Sequence, residues 1–175
     1  MKKGRELFII LSVLSIPLLH EVGHFIGYTI DRVPATIKYG FTISENLTFL
    51  GVLGGPLFNI SLSLICITLI YLDSKRRVFW GIIGLASSVS RLLNCVIIFI
   101  IGIFFNPMIL HNNDEGQLAI LINSNIYILY IMFLAIYFYL TLLIIKLIKN
   151  NTLCAQLSYR IIGYNLIITL FLIFL

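Results

Sequence analysis

The sequence predicts an all-α membrane protein: a polytopic bundle of about five transmembrane helices, with a small β-hairpin-like loop after the first. Three observations predict it. Hydrophobic residues make up 60% of the 175 positions and charged residues only 11%, whereas a soluble domain averages about 45–50% apolar and about 25% charged. Mean hydropathy is +1.06, which excludes a soluble globular domain and a disordered chain alike. The apolar residues gather into five runs, at 7–30, 49–72, 78–105, 126–148 and 157–175. Each is near or above the roughly 20 residues that a helix needs to cross a bilayer core. Lipid offers backbone groups no partner, so runs of this kind are helical. The length is that of one integral-membrane domain, 1–175.

The first run follows Lys2, Lys3 and Arg5. A basic start before an apolar stretch resembles a signal peptide. The stretch is too long for one, and it contains His20, Glu21 and His24, so it reads as a retained helix. Net charge is +5, from 12 Lys+Arg against 7 Asp+Glu. The basic residues stand at the ends of the runs, as Lys75, Arg76 and Arg77 do, which indicates contact with anionic lipid headgroups and not with nucleic acid. With the N-terminus cytoplasmic, the inner segments hold Lys2, Lys3, Arg5, Lys75, Arg76, Arg77, Lys146, Lys149 and Arg160. The outer loops hold Arg32 and Lys38. That distribution predicts a multi-pass cell-membrane protein with its N-terminus inside.

Between the first two runs, Ile37, Tyr39, Phe41 and Ile43 alternate with polar or small residues over 36–44. Period two predicts a β-strand with one apolar face. The alternative is a short hairpin lying on the bilayer surface. Cys66, Cys95 and Cys154 are far apart and form no CxxC pair, so neither a disulfide framework nor a cysteine zinc site is indicated.

The chemistry is concentrated in His20-Glu21-Val22-Gly23-His24, an HExxH motif. Residues i and i+4 lie about 40° apart around a helix, so both imidazoles point to one side and can share a metal ion. Glu21 stands on the adjoining edge, placed to take a proton from water. A carboxylate at the centre of a membrane helix costs on the order of 2.5–3.5 kcal/mol, so such residues face a polar interior and serve a function. Catalytic zinc sites usually have three protein ligands. The segment 106–116, after the third run, offers His111, Asp114 and Glu115. Helix counting returns it to the face where the first run ends, and His24 lies six residues before Ile30, or roughly 9 Å at helical rise. Asp114 and Glu115 also suit the N-terminus of a following helix.

These landmarks together resemble an intramembrane zinc metalloprotease of the site-2 protease type, peptidase family M50. HExxH lies in an early membrane helix. Gly54-Gly55-Pro56-Leu57-Phe58-Asn59 is similar to the family's glycine-proline-x-x-asparagine stretch. Asn106-Pro107 followed by Asp114 resembles its asparagine-proline…aspartate-glycine stretch, although here Glu115 intervenes before Gly116. The resemblance covers about residues 7–120. It implies a minimal core without PDZ or CBS domains, holding one Zn2+ through His20, His24 and Asp114, with Glu21 as the catalytic base. Asn59, Asn106 and Pro107 are then candidates for positioning substrate or water. The substrate would be a membrane-anchored protein or peptide, cut in or near its transmembrane segment.

A helical substrate must be locally extended before water reaches its backbone. A strand at 36–44, with Thr36, Lys38, Gly40 and Thr42, offers an edge for β-addition. Other polar residues have plainer readings. Asn59 also suits an interhelical hydrogen bond. Ser87, Ser88, Ser90, Arg91 and Asn94 form a polar patch suited to helix packing or snorkelling. Gly23xxxGly27 and Gly51xxxGly55 permit close helix approach. Tyr127, Tyr130, Tyr137 and Tyr139 suit lipid contact or packing. The competing function is non-catalytic: a membrane protein that binds or passes a divalent cation, or an inactive immunity or partner protein. Glu21 discriminates, because only a hydrolase requires a carboxylate beside the first ligand.

Overall fold

A computed structural model describes residues 3–148 and 151–173. Lys2 and Lys149 of the orientation count, and the last two residues of the fifth run, lie outside the described residues, as do the side chains of Lys3 and Cys154. The fold is an all-α bundle with one small hairpin. Helix α1 spans Lys3–Ile30, strands β1 and β2 span Ala35–Lys38 and Phe41–Ser44, and α2 spans Phe49–Leu72. A 3-10 turn at Ser74–Arg76 leads into α3, Arg77–Phe104. Two short helices follow, α4 at Met108–Asn112 and α5 at Asp114–Leu121, and then α6 at Ile126–Ile148 and α7 at Asn151–Ile173. Among the described residues, four helical stretches are long and apolar enough to cross a membrane: Gly4–Ile30, Phe49–Leu72, Ser74–Phe104 and Ile126–Ile148. The fifth apolar run is helical as α7, but it is not among those four. Gln156, Arg160 and Asn165 dilute its apolar character.

The chain divides into two compact units. The first comprises Met1–Ile16, Asn59–Leu93 and Tyr137–Leu175. Ile9, Val13, Ile70, Ile82, Leu85 and Ile144 are buried there, and Phe8 stacks on Phe79 with ring centroids 4.6 Å apart. Polar residues join its helices. Asn59 Nδ2 donates to Ser87 Oγ at 3.2 Å, and Ser87 Oγ donates to the Asn59 carbonyl at 3.1 Å. Thr141 Oγ1 donates to Ser88 Oγ at 3.0 Å. Ser87 and Ser88 of the polar patch on α3 thus join helices, and Arg91 is buried as they are. Near the start of α1, Glu6 pairs with Arg160 and accepts the Tyr164 hydroxyl at 2.5 Å.

The second unit comprises Pro17–Phe58 and Asn94–Ile136. Within it, α1 and α2 approach backbone to backbone. A Cβ on Gly23 would lie 2.5 Å from the Gly54 carbonyl oxygen and 2.7 Å from Phe58 Cβ, and one on Gly27 would strike the Leu50 carbonyl. The small-residue spacing read from the sequence therefore forms a seam between these helices. Helix α1 ends with Val33 N–H donating to the Tyr28 carbonyl at 2.9 Å and with Arg32 at φ 59°. This is a left-handed C-terminal stop, with Pro34 next. Helix α2 starts from Thr48, whose Oγ1 accepts the Gly51 N–H at 3.1 Å. That bond satisfies one of the unpaired donors of the first turn.

The connection between them is the hairpin-like loop predicted after the first helix, and not the single strand that alternation over 36–44 also suggested. It is an antiparallel hairpin with Thr36 opposite Ile43, Ile37 opposite Thr42 and Lys38 opposite Phe41. Gly40 at φ 88° makes the two-residue turn possible. The turn also reassigns the faces. Ala35, Ile37, Thr42 and Ser44 are half-buried, whereas Thr36, Lys38, Phe41 and Ile43 point outward. The four apolar residues predicted to share one face are split, because a two-residue turn pairs Ile37 with Thr42.

Of the tyrosines expected at lipid or packing surfaces, Tyr130 and Tyr137 are buried and Tyr127 and Tyr139 exposed. Tyr130 stacks on Phe99 at 5.5 Å.

Candidate metal centre

His20, Glu21 and His24 of the HExxH motif and Asp114 of the acidic segment meet within the second unit. His20, Glu21 and His24 are each at most 6% exposed. The helical spacing brings the imidazoles together as predicted, with Nε2 of His20 3.0 Å from Nε2 of His24. Asp114 completes the group. One carboxylate oxygen lies 3.0 Å from His20 Nε2 and the other 3.3 Å from His24 Nε2. Four tetrahedral ligands at about 2.0–2.1 Å from a cation stand about 3.3–3.4 Å from one another. Two imidazole nitrogens and a carboxylate at these separations suit one small divalent cation.

The tautomer of His24 can be deduced. Its Nδ1 lies 2.8 Å from the carbonyl oxygen of Gly51. A carbonyl only accepts, so Nδ1 carries the hydrogen, and the neutral ring keeps its lone pair on Nε2. This is how metal-binding histidines are commonly oriented. Gly55 leaves room beside both rings. A Cβ there would overlap His24 Nε2 and Cδ2 and His20 Cε1. The donor set, its spacing and this side-chain-free wall all fit a bound cation.

Asp114 reaches the histidines because of how α4 and α5 are joined. Asn106 Oδ1 accepts the Met108 N–H at 3.1 Å, and Pro107 starts α4 at φ −58°. Gly116 then lets α5 pass against α4, since a Cβ on it would collide with the Leu110 carbonyl. Tyr130 Oη donates to that same carbonyl at 3.2 Å. Glu115, the rival ligand, is wholly buried and turned elsewhere: Cys95 Sγ donates to it at 3.1 Å and Asn113 Nδ2 at 2.5 Å. It anchors the start of α5, and Asp114, one residue earlier, faces the imidazoles. Asp114 is also the first residue of α5, where the helix dipole favours an acid, and Asn113 makes no side-chain cap. His111 is exposed at the end of α4.

Glu21 is held by the hairpin. Thr42 Oγ1 donates to Glu21 Oε2 at 2.8 Å and lies 3.2 Å from the Glu21 carbonyl. The Glu21 carboxylate has an oxygen within 4.8 Å of the ligand atoms of both histidines. The structure thus joins His20, Glu21, His24, Asp114 and Thr42. It places Asn106 and Pro107, both exposed, in the turn that aims α5, and it engages Asn59 with Ser87 in the first unit. Of the other strand candidates, Thr36 and Lys38 face outward and Gly40 forms the turn.

Sequence reasoning missed three contributors. The Gly51 carbonyl carries no side-chain signal at all. Gly55 is readable as a helix-packing glycine and as part of the Gly54–Asn59 stretch, but nothing in the sequence sets it beside the imidazoles. Thr42 was read for its backbone, and its hydroxyl turns out to be the part that meets the motif. No protein-family model matches the chain, and no curated protein or solved structure matches it either.

Proposed function

We propose that this membrane protein is a zinc-dependent endopeptidase that hydrolyses a peptide bond in or beside a membrane segment of another protein. One observation carries the reading. Three donors of a catalytic cation site, His20, His24 and Asp114, stand about 3 Å apart with a separately held carboxylate, Glu21, at their edge. A site that merely stores a cation has no use for that second acid. The resemblance of HExxH, Gly54–Asn59 and Asn106–Asp114 to the site-2 protease family supports the same conclusion, as does the membrane character of the helices that carry them.

His20, His24 and Asp114 would hold the cation. When bound, such a cation polarises a carbonyl and makes water a nucleophile near neutral pH. The remaining work belongs to the chain. Glu21 accepts the proton of the attacking water and returns it to the leaving amine. The Gly51 carbonyl fixes the His24 ring, and Gly55 keeps the space beside both rings open. The hairpin offers strand edges on which an unwound substrate segment can pair. The excess of basic residues at the inner segments supports a cytoplasmic N-terminus.

The test is paired. Zinc content is measured on purified wild type, Glu21→Gln and a His20→Ala/His24→Ala variant, alongside cleavage of candidate membrane substrates. The proposal expects zinc in the first two and not the third, and cleavage only by the wild type. A protein that binds a cation without catalysis would cleave with none of them, whatever its zinc content.

A further inference from the structure

The contact between Thr42 and Glu21 has a specific use. A carboxylate within 4.8 Å of both imidazoles is close to whatever cation they bind. Left to itself, an anionic oxygen at that range ligates the cation and fills the position that a catalytic site must leave for water. Glu21 cannot be both a ligand and a base. A group that directs its oxygens away is therefore useful, and a hydroxyl from a different element is in place to do so.

We infer that Thr42 is a positioning residue that keeps Glu21 off the cation and in the role of base; this rests on the metallopeptidase reading of the same site. Three features support it. The bond from Thr42 Oγ1 to Glu21 Oε2, at 2.8 Å, is short and charge-assisted. Thr42 lies on the inward face of β2, where its backbone is paired opposite Ile37, so the hydroxyl is delivered by a strand and not by a loose loop. The hairpin is tied at both ends to helices that carry the site: α1 ends at Ile30, five residues before β1 begins, and α2, which supplies Gly51 and Gly55, begins five residues after β2 ends.

Two substitutions separate a hydroxyl effect from a packing effect. Thr42→Val keeps the β-branched shape and removes the donor, whereas Thr42→Ser keeps the donor and removes a methyl group. Co2+ serves as the probe on the full-length protein in detergent, since its visible absorption weakens as coordination rises from four to five. With Thr42→Val, the Co2+ band should weaken and kcat should fall on the order of 10²-fold with KM unchanged, as expected when a reacting group is misplaced. Thr42→Ser should restore the band and most of the rate. In the Thr42→Val/Glu21→Gln double variant the band should match that of Glu21→Gln alone, because the carboxylate that moves is gone. If Co2+ binds in a His20- and His24-dependent way and Thr42→Val leaves both band and kcat unchanged, the positioning role is overturned and the metal site stands. Equal losses in Thr42→Val and Thr42→Ser would also overturn it, by showing that packing matters and the hydroxyl does not. Failure of Co2+ to bind the wild type would overturn the metal reading, and this inference with it.

Discussion

His24 donates from Nδ1 to the carbonyl oxygen of Gly51 at 2.8 Å, and so the backbone of α2 sets the tautomer of an imidazole on α1. The relationship depends on the glycine seam. Only where Gly23, Gly27 and Gly54 bring the two backbones together can a carbonyl of α2 reach a ring on α1.

Adding a methyl group to that seam tests it. Gly23→Ala places a Cβ 2.5 Å from the Gly54 carbonyl oxygen and 2.7 Å from Phe58 Cβ. Overpacking of this kind typically costs about 1–3 kcal/mol. Thermal unfolding in detergent should shift down, and zinc affinity should fall with it as the Gly51 carbonyl moves away from His24.

Gly55→Ala should act on the metal more than on the fold. Its Cβ would overlap the imidazoles themselves. Disturbing the groups that orient metal ligands typically costs about 10–100-fold in affinity. Competition titration with a chelating dye measures it; unchanged affinity would mean that the rings have more freedom than their contacts imply.

Asp114→Ala should strip most of the metal, whereas Glu115→Gln should retain it. Asp114 lies 3.0 and 3.3 Å from the two imidazoles, while Glu115 accepts from Cys95 and Asn113. Glu115→Gln weakens a buried anchor, so its loss should appear in stability. The zinc-to-protein ratio after gel filtration distinguishes the two. Loss of zinc from Glu115→Gln alone would make Glu115 the ligand.

Glu21→Gln should keep zinc and lose about 10²–10⁴-fold in hydrolysis, since glutamine can accept the Thr42 hydrogen bond but cannot accept a proton. Turnover near the wild-type rate would remove Glu21 from the mechanism.

Thr42→Pro and Thr42→Val both delete the hydroxyl, but only proline also removes a strand donor. If substrate pairs with β2, Thr42→Pro should cleave a helical membrane substrate more slowly than Thr42→Val does. The two variants should be alike on a short peptide that is already extended. Equal rates on both substrates would leave the hairpin with no part in unwinding.

What the sequence determined by itself was the long helices and the spacing of residues along them. Apolar run length dictates the membrane helices, because lipid forces the backbone to satisfy itself. The bounds of α2 and α6, Phe49–Leu72 and Ile126–Ile148, agree with the runs to the residue. The i,i+4 spacing alone places His20 and His24 on one side of α1, since helical geometry needs no tertiary partner. The hairpin was only half legible. Strict alternation over 36–44 fits one strand or two, and a positive φ at Gly40 decides between them while moving Thr42 to the inner face. Only the tertiary structure shows which of Asp114 and Glu115 faces the imidazoles. Neighbouring residues on a short helix point in different directions, and the choice depends on Gly116 packing against α4 and on Cys95 receiving Glu115 from α3. The Gly51 carbonyl and the Thr42 hydroxyl lie 27 and 21 residues from their partners in the motif. No periodicity extends across a turn and a change of element, so contacts of that kind exist only once the helices have packed.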